Sequence, residues 1–235
     1  MKLVKELWKL DPYLYYYDWL QEFRSNWKWQ EGDKFPAGCN EDDYIYIIDY
    51  IYKHRPKHIV EYGSGWTTML IDKVITNLDY GAEFISFEDN EYYYNIYNKY
   101  GFDVNNRINL VPAESGIIYM THKKDLIGTF YVTYVHDFEK ITDVDWVLID
   151  GPQMNKYPHP TLTNYFPSGK PASTTLNLEL LLKEFGGPMD VWIDGRQSTQ
   201  NYYNNRGWEI VRDKYNNGIG TNLTLDGNRH GDIYK

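Results

Sequence analysis

Three acidic residues and two glycines are the residues of this sequence best suited to bind and process a ligand. Glu61 precedes the pair Gly63 and Gly65, Glu88 follows 25 positions after the first glycine, and Asp150 stands before a Gly-Pro pair. Glycines allow the backbone to approach a ligand closely. A carboxylate at about this distance from such a turn can accept hydrogen bonds from ribose hydroxyl groups. The spacing predicts a nucleotide-binding crevice, and Asp150 is a candidate to orient or deprotonate a hydroxyl group there.

The glycine turn lies between a predicted strand and a predicted helix. Ile59, Val60 and Tyr62 are typical of a short buried strand, and the run that begins at Thr67 has the apolar spacing of a helix. The N–H groups in the first turn of a helix are free to donate hydrogen bonds to a ligand. The ligand-binding residues predicted here are Glu61, Tyr62, Gly63, Ser64, Gly65 and Thr67.

The residues around the glycines distinguish between two classes of nucleotide. A dinucleotide fingerprint has a third glycine for close packing of helix on strand, and Thr68 occupies that position. The carboxylate of Glu61 would be a poor neighbour for a pyrophosphate, but it would suit a ligand that carries an ammonium group. The E-x-G-x-G pattern resembles the first motif of class I S-adenosylmethionine (AdoMet) dependent methyltransferases. The cofactor of that family carries an amino-acid moiety and no phosphate.

Two further segments extend this resemblance and imply additional cofactor contacts. In that family the segment after the third strand lies along the adenine, which implies that Ala113 and Glu114 contact the base. The I-D-G-P ending at Asp150 resembles the fourth motif, which places an acid beside the donated methyl group. Glu88 would hold the ribose, and Asp89 directly after it is included in the predicted cofactor site. A solvated carboxylate at Glu114 and a turn cap at Asp150 are the alternative interpretations.

Alternating strand and helix patterns predict the fold that brings these residues together. Strand patterns cover residues 59–62, 83–88, 108–111, 145–150 and 189–194, and an Asn-Gly turn joins two final strands over residues 208–213 and 219–225. We expect an α/β fold with a doubly wound, mostly parallel seven-stranded sheet, as in the Rossmann-like methyltransferase fold, and a C-terminal antiparallel hairpin. Residues 130–135 predict an additional edge strand or hairpin arm. His136 and Asp137 at its end either face a pocket or lie on the surface.

Two segments of unusual composition accompany the predicted domain, which covers residues 40–235. Residues 1–39 are rich in aromatic side chains and predict an N-terminal cap, which either packs on the domain or forms a lid over the acceptor pocket. Residues 153–173 contain four prolines and follow Asp150 directly. A loop of this length in a compact domain is usually functional or disordered, so we interpret it as an acceptor-binding insertion.

The composition restricts the class of protein and of partner. The chain has 235 residues, 42% of them hydrophobic, and a net charge of −9. This length suits one α/β domain, and the charge argues against a protein that holds nucleic acid through its phosphates. A single cysteine forms no intrachain disulfide, and the sequence contains neither a signal-peptide pattern nor a membrane-spanning run. We therefore expect a soluble cytoplasmic protein with a small-molecule acceptor; the sequence does not predict its oligomeric state.

The chemistry implied by the resemblance is methyl transfer from a sulfonium to an acceptor nucleophile, most simply O-methylation of a small molecule or sugar. Asp150 and Asp194 could supply two ligands to a metal ion, but Gly195 stands where the catechol-type enzymes would have asparagine, so no metal is expected. Two other functions stay open. One is an inactive methyltransferase-like module that serves as a binding or scaffold domain. The other is an NAD-dependent oxidoreductase, against which Glu61 and Thr68 argue.

Overall fold

A computed structural model describes residues 11–26, 41–99, 107–122, 125–152 and 173–225. The described helices are α1 (Pro12–Asn26), α2 (Glu41–His54), α3 (Trp66–Leu78), α4 (Glu91–Lys99), α5 (Asn177–Phe185) and α6 (Gln197–Asn205). The described strands are β1 (His58–Tyr62), β2 (Glu83–Glu88), β3 (Ile108–Leu110), β4 (Ala113–His122), β5 (Asp125–Tyr134), β6 (Trp146–Ile149), β7 (Ser173–Thr174), β8 (Met189–Ile193), β9 (Val211–Arg212) and β10 (Gly218–Leu223). None of these helices combines the length and the apolar character needed to cross a membrane.

Seven of the strands form one sheet in the order β3-β2-β1-β6-β8-β10-β9. The first five strands in this order run parallel to one another, and β10 runs antiparallel to both β8 and β9. The structure thus confirms the predicted doubly wound, mostly parallel sheet with a C-terminal antiparallel hairpin. The strands that follow β1 in the chain, β2 and β3, are added on one side of it, whereas β6 and β8 are added on the other, so the strand order switches between β1 and β6. In such sheets the ligand crevice opens at this switch point, outside the carboxyl ends of the strands.

The central strands are apolar on both faces because each face carries its own helical layer. In β1, Ile59 packs into a core formed with α1, α2 and α3, whereas Val60 packs into a second core formed with α5 and α6. In β6, Trp146 and Leu148 belong to the first core and Val147 to the second. Side chains alternate along a strand, so burial on both faces produces the continuous apolar runs that predicted these strands.

Helix α1 is part of the first core and packs on α2 and α3. Tyr16 and Leu20 are almost fully buried in that core, together with Ile47 of α2 and Leu70 of α3. The hydroxyl group of Tyr16 accepts a hydrogen bond of 3.2 Å from Asn77 of α3. Within residues 11–26 the predicted cap therefore packs on the domain. The remainder of the predicted segment 1–39 lies outside the described residues.

The connection from β3 to β6 carries a hairpin where the other parallel strands are linked through helices. Strands β4 and β5 pair antiparallel in a register that sets Ala113 opposite Tyr134, and β7 joins β5 in parallel with Ser173 opposite Phe130. The resulting three-stranded sheet places Tyr134 in the second core. The hairpin arm predicted at residues 130–135 is confirmed, but the sequence did not indicate that the arms are ten residues long. Apart from Ser173, the predicted insertion at 153–173 lies outside the described residues.

Candidate active site

The two glycines of the turn have different structural roles. Gly63 has φ +97°, and a Cβ there would lie under 3.0 Å from the backbone of Asp150 and Gly151. Its N–H donates a hydrogen bond of 2.9 Å to the carbonyl of Phe87, so the turn joins the ends of β1, β2 and β6. Gly65 precedes α3 with φ −165°, an extended conformation open to any residue. The backbone strain that we expect of a glycine turn is therefore present at Gly63 and absent at Gly65.

Glu61 is fully buried and fastens the start of α3 to the sheet. Its carboxylate accepts hydrogen bonds of 2.5 Å from the hydroxyl groups of Thr67 and Thr68, and one of 2.7 Å from Ser86 of β2. Burial raises the pKa of Glu61 to about 7, although the three hydrogen bonds oppose this rise. The oxygens of Glu61 and the side chain of Thr67 thus form hydrogen bonds within the protein that stabilise the turn. Direct contact of either residue with a ligand stays a prediction.

Glu88 holds the same turn from the neighbouring strand. Its side chain, which is almost fully buried at the end of β2, accepts hydrogen bonds from the N–H of Ser64 (3.1 Å) and the hydroxyl group of Ser64 (2.8 Å). The other carboxylate oxygen accepts a hydrogen bond of 2.8 Å from the N–H of Asn90. Asp89 lies between these two residues at the same edge of the sheet and is partly exposed. Glu88 is therefore at the carboxyl edge, as the spacing predicted.

Asp150 follows β6 directly and lies across the switch point from the glycine turn. Its side chain is 18% exposed, and its Oδ1 lies 4.0 Å from the guanidinium group of Arg196. Burial and the neighbouring carboxylate of Asp194 raise the pKa of Asp150, whereas Arg196 opposes the rise. The guanidinium group also donates hydrogen bonds to the carbonyl groups of Asp150 and Pro152. An acid with a raised pKa at a strand end is a candidate general base near neutral pH.

Tyr134 is a residue of this site that sequence reasoning missed. Its hydroxyl group lies above Gly151, where an added Cβ would lie under 3.0 Å from it. Burial raises the pKa of Tyr134, and the negative charges of Glu88, Asp89 and Asp150 add to this rise. The only feature of the sequence that could have indicated Tyr134 as a site residue was its position near the end of a predicted strand. The pairing of β4 with β5 that carries it to the switch point was not evident from the sequence.

Tyr62 and His136 form part of an aromatic cluster beneath the turn. The hydroxyl group of Tyr62 lies 2.9 Å from Nε2 of His136, and the Tyr62 ring stacks on those of Phe87 and Tyr134 at centroid distances of 5.6 Å. Burial lowers the pKa of His136. The side chain of Tyr62 therefore packs in the second core, and its predicted contact with the cofactor is not evident in the structure. His136 packs against this cluster, while Asp137 is exposed.

Ala113 and Glu114 open strand β4, which a two-residue connection separates from the end of β3. Ala113 lies opposite Tyr134, whereas Glu114 lies opposite Thr133 and is exposed. The structure places Ala113 beside the strand end that carries Tyr134. It does not bring the carboxylate of Glu114 into contact with the other predicted residues. Contact of these two residues with adenine stays a prediction.

The charged residues of this edge include carboxylates that could act as oxygen ligands to a metal ion. Within the described residues, His, Cys, Asp and Glu form no group of three or more that is arranged to hold a metal ion. Asp150 and Asp194 lie side by side with Arg196 as the neighbouring cation. No residue of the described ranges is therefore assigned to a metal ion.

Solved structures of methyltransferases are similar to this chain, although their sequences are not. No protein-family model and no curated protein sequence matches the chain. Among solved structures, the methyltransferase PaMTH1 of Podospora anserina, bound to SAH, is 12% identical, with 91% of this chain and 88% of that chain covered and a TM-score of 0.44. A putative caffeoyl-CoA O-methyltransferase from Staphylococcus aureus is 13% identical, with 88% and 91% covered and a TM-score of 0.46.

Proposed function

We propose that this protein is an AdoMet-dependent methyltransferase that acts on a hydroxyl group of a small-molecule or sugar acceptor. The observation that carries the proposal is the arrangement of carboxylates around the switch point of the sheet. On one side, Glu61 and Glu88 hold the glycine turn through Ser64, Thr67, Thr68 and Ser86. On the other side, Asp150 ends β6. The proposal includes a cytoplasmic location, as expected from composition.

The polar groups at this edge fit a cofactor with a ribose and a zwitterionic amino-acid moiety. Glu88 lies where a carboxylate can accept hydrogen bonds from ribose hydroxyl groups. The surrounding carboxylates suit an ammonium group and would repel a pyrophosphate, which supports AdoMet over NAD. The Nε of Arg196 is buried and lacks a hydrogen-bond partner in the described part of the chain, so a donor for an anionic group is also present. When bound, the cofactor supplies a methyl group on a positively charged sulfur.

The protein contributes positioning and a base to this chemistry. Displacement at the methyl carbon requires the acceptor oxygen to approach in line, and holding the reactants in that geometry is itself a large part of the rate enhancement. Asp150 accepts the proton of the acceptor hydroxyl group as the oxygen attacks. Asp194 makes this easier, because a second carboxylate nearby raises the proton affinity of Asp150. Arg196 holds the backbone around Asp150 in place.

The described residues on either side of the predicted insertion support its role in binding the acceptor. The chain leaves the site at Pro152, two residues after Asp150, and returns at Ser173, which pairs with Phe130 of the strand that carries Tyr134. Both ends of the intervening segment are therefore fixed to elements of the site. We propose that residues 153–173 bind the acceptor.

Calorimetry of the purified protein with AdoMet, its demethylated product AdoHcy and NAD tests the cofactor. We expect micromolar binding of AdoHcy and no saturable binding of NAD. Glu88→Ala should weaken AdoHcy binding by about 1–3 kcal/mol, because hydrogen bonds to a charged group are lost. Glu91→Ala, at an exposed position three residues further on, is the matched control and should bind normally. Saturable NAD binding without AdoHcy binding would reject the proposed function.

A further inference from the structure

Tyr134 is held at the switch point by a buried amide. The side chain of Asn177, which is fully buried at the start of α5, accepts a hydrogen bond of 3.1 Å from the N–H of Tyr134 and donates one of 3.2 Å to its carbonyl group. The hydroxyl groups of Thr133 and Thr175 donate to the same amide oxygen at 3.0 and 2.6 Å. Both backbone polar groups of Tyr134 are thus fixed by one side chain, so the position of this residue is tightly defined.

The Tyr134 side chain is fixed as well, but its hydroxyl group is not engaged by the protein. The ring stacks on Tyr62, and the hydroxyl group reaches over Gly151, one of the two glycines that meet where β1 and β6 end. No residue in the described ranges forms a hydrogen bond with this hydroxyl group; the hydrogen bonds of Tyr134 are those of its backbone. Tyr134 is 2% exposed, but its hydroxyl oxygen is not among the fully buried polar atoms that lack a partner in the described part of the chain. The hydroxyl group therefore stays accessible at the point where a ligand is expected, and it is suited to bind that ligand.

The charges around Tyr134 indicate which part of a ligand it suits. Burial, followed by Glu88, Asp89 and Asp150, raises the pKa of Tyr134, so the phenol stays protonated and can donate a hydrogen bond. The same carboxylates favour the ammonium group of an amino-acid moiety and oppose its carboxylate. That carboxylate therefore needs a donor within the acidic edge. Tyr134 is such a donor, and the positive charge of Arg196 opposes the rise in the pKa of Tyr134.

We propose that the hydroxyl group of Tyr134 donates a hydrogen bond to the carboxylate of the cofactor's amino-acid moiety and so positions the cofactor over the ends of β1 and β6. This inference rests on the proposed function, because it assumes that AdoMet is the ligand of the crevice. It makes Tyr134 a residue that selects a zwitterionic cofactor over a purely cationic one.

Binding of AdoHcy and of decarboxylated AdoHcy, which retains the ammonium group but lacks the carboxylate, tests this contact by calorimetry. The unmodified protein should bind AdoHcy more tightly than the decarboxylated ligand. Tyr134→Phe keeps the ring and its stacking but removes the hydroxyl group. It should weaken AdoHcy binding by about 10- to 100-fold, the range expected for a hydrogen bond to a charged group. The affinity for decarboxylated AdoHcy should stay within about twofold, because the lost donor has no partner in that ligand.

Tyr131→Phe is the matched control, since Tyr131 lies on the opposite face of the same strand and should affect neither affinity. Thermal unfolding of both variants verifies that the fold is retained. An equal loss for both ligands in Tyr134→Phe, or no loss for AdoHcy, would overturn the inference. So would equal affinities of the unmodified protein for the two ligands, a result that does not depend on the stability of the variant. Failure of the unmodified protein to bind AdoHcy at all would instead reject the proposed function.

Discussion

Glu61 and Glu88 lie near the carboxyl ends of neighbouring strands, and the structure gives their carboxylates different surroundings. Glu61 is enclosed by three hydroxyl donors within the protein, whereas Glu88 lies at the edge of the sheet and binds the turn through Ser64. Among the described residues Glu61 has no cation as a hydrogen-bond partner. A buried acid in this setting titrates at higher pH than an exposed one. The free energy of unfolding should therefore depend on whether Glu61 is protonated.

The contribution of Glu61 to the stability of the protein should fall as the pH rises from about 4.5 to about 7. The pKa of Glu61 is about 7 in the folded protein against an ordinary value of 4.5, so the folded state keeps a proton that the unfolded state releases. The free energy of unfolding lost over this range is about 3 kcal/mol. Glu61→Gln does not titrate and should lose this contribution to the pH dependence. Urea unfolding at several pH values measures the difference, with the exposed Glu184→Gln as control. A difference between unmodified and Glu61→Gln protein that is constant with pH would contradict this prediction.

Asp150→Asn should lower the turnover of the proposed methyl transfer by about 10²–10⁴-fold while AdoHcy still binds, because the amide cannot accept the acceptor's proton. The raised pKa of Asp150 also predicts how the reaction rate depends on pH. The rate of the unmodified enzyme should rise with pH through a value above that of an ordinary aspartate, since the base must be ionised. Asp143→Asn, at an exposed position before β6, is the control. Near-normal turnover of Asp150→Asn would leave this residue with only the role of a turn cap.

At the scale of elements, the site depends on how closely the strands β1 and β6 approach each other beyond their ends. The N–H groups of Asp150 and Gly151 donate hydrogen bonds of 2.9 and 2.6 Å to the carbonyl of Tyr62, and Gly63 faces Gly151 across this contact. The hairpin of β4 and β5 then covers the contact with Tyr134. Two glycines and one tyrosine from three separate parts of the chain thus meet at the switch point, where a ligand is expected.

Gly63→Ala should destabilise the fold, by about 2–4 kcal/mol, because a Cβ there meets the backbone of Asp150 and Gly151 and the φ of +97° is unfavourable for alanine. Gly65→Ala is its matched counterpart in the same turn. The extended backbone at Gly65 accepts alanine, so stability should change by less than about 1 kcal/mol while AdoHcy binding weakens. Denaturant unfolding and calorimetry of the two variants measure both effects. Normal AdoHcy binding by Gly65→Ala would show that the cofactor does not approach this part of the turn.

At the scale of the whole molecule, the cofactor half and the acceptor half of the proposed site use different parts of the chain. The cofactor half comes from β1, β2 and the turn before α3 and, by our inference, from Tyr134 at the end of β5. The acceptor half comes from the ends of β6 and β8 and, by our proposal, from residues 153–173. This separation predicts that the two binding functions can be uncoupled.

Replacement of residues 156–171 by a Gly/Ser linker of equal length should spare AdoHcy binding and abolish methyl transfer to the true acceptor. The linker preserves the length of the connection between Pro152 and Ser173 but removes the side chains that would contact the acceptor. Calorimetry with AdoHcy and a methyl-transfer assay with an acceptor found by screening measure the two functions separately. Full methyl transfer by this variant would exclude the segment from the acceptor pocket.

The features that the sequence predicted correctly are those encoded within short stretches. The apolar runs predicted the central strands, and the Asn-Gly turn predicted the terminal hairpin, which the sheet confirms. The position of Glu88 followed from counting residues beyond the glycine turn, because strand and helix lengths in a β–α–β unit vary little. Asp150 at the end of β6 followed from the length of the preceding apolar run. Periodicity and strand length are local properties, so the sequence alone was sufficient for them.

The contacts that define the candidate site join positions far apart in the chain, and only the tertiary structure revealed them. Gly63 meets Gly151, and Tyr134 reaches this contact through a hairpin whose register no local pattern specifies. The hydroxyl groups that enclose Glu61 come from α3 and from β2, so the burial of this carboxylate was not evident from its own neighbours in the sequence. Register and burial depend on the packing of whole elements against one another, which is why the sequence located the carboxylates while the fold determined what each of them contacts.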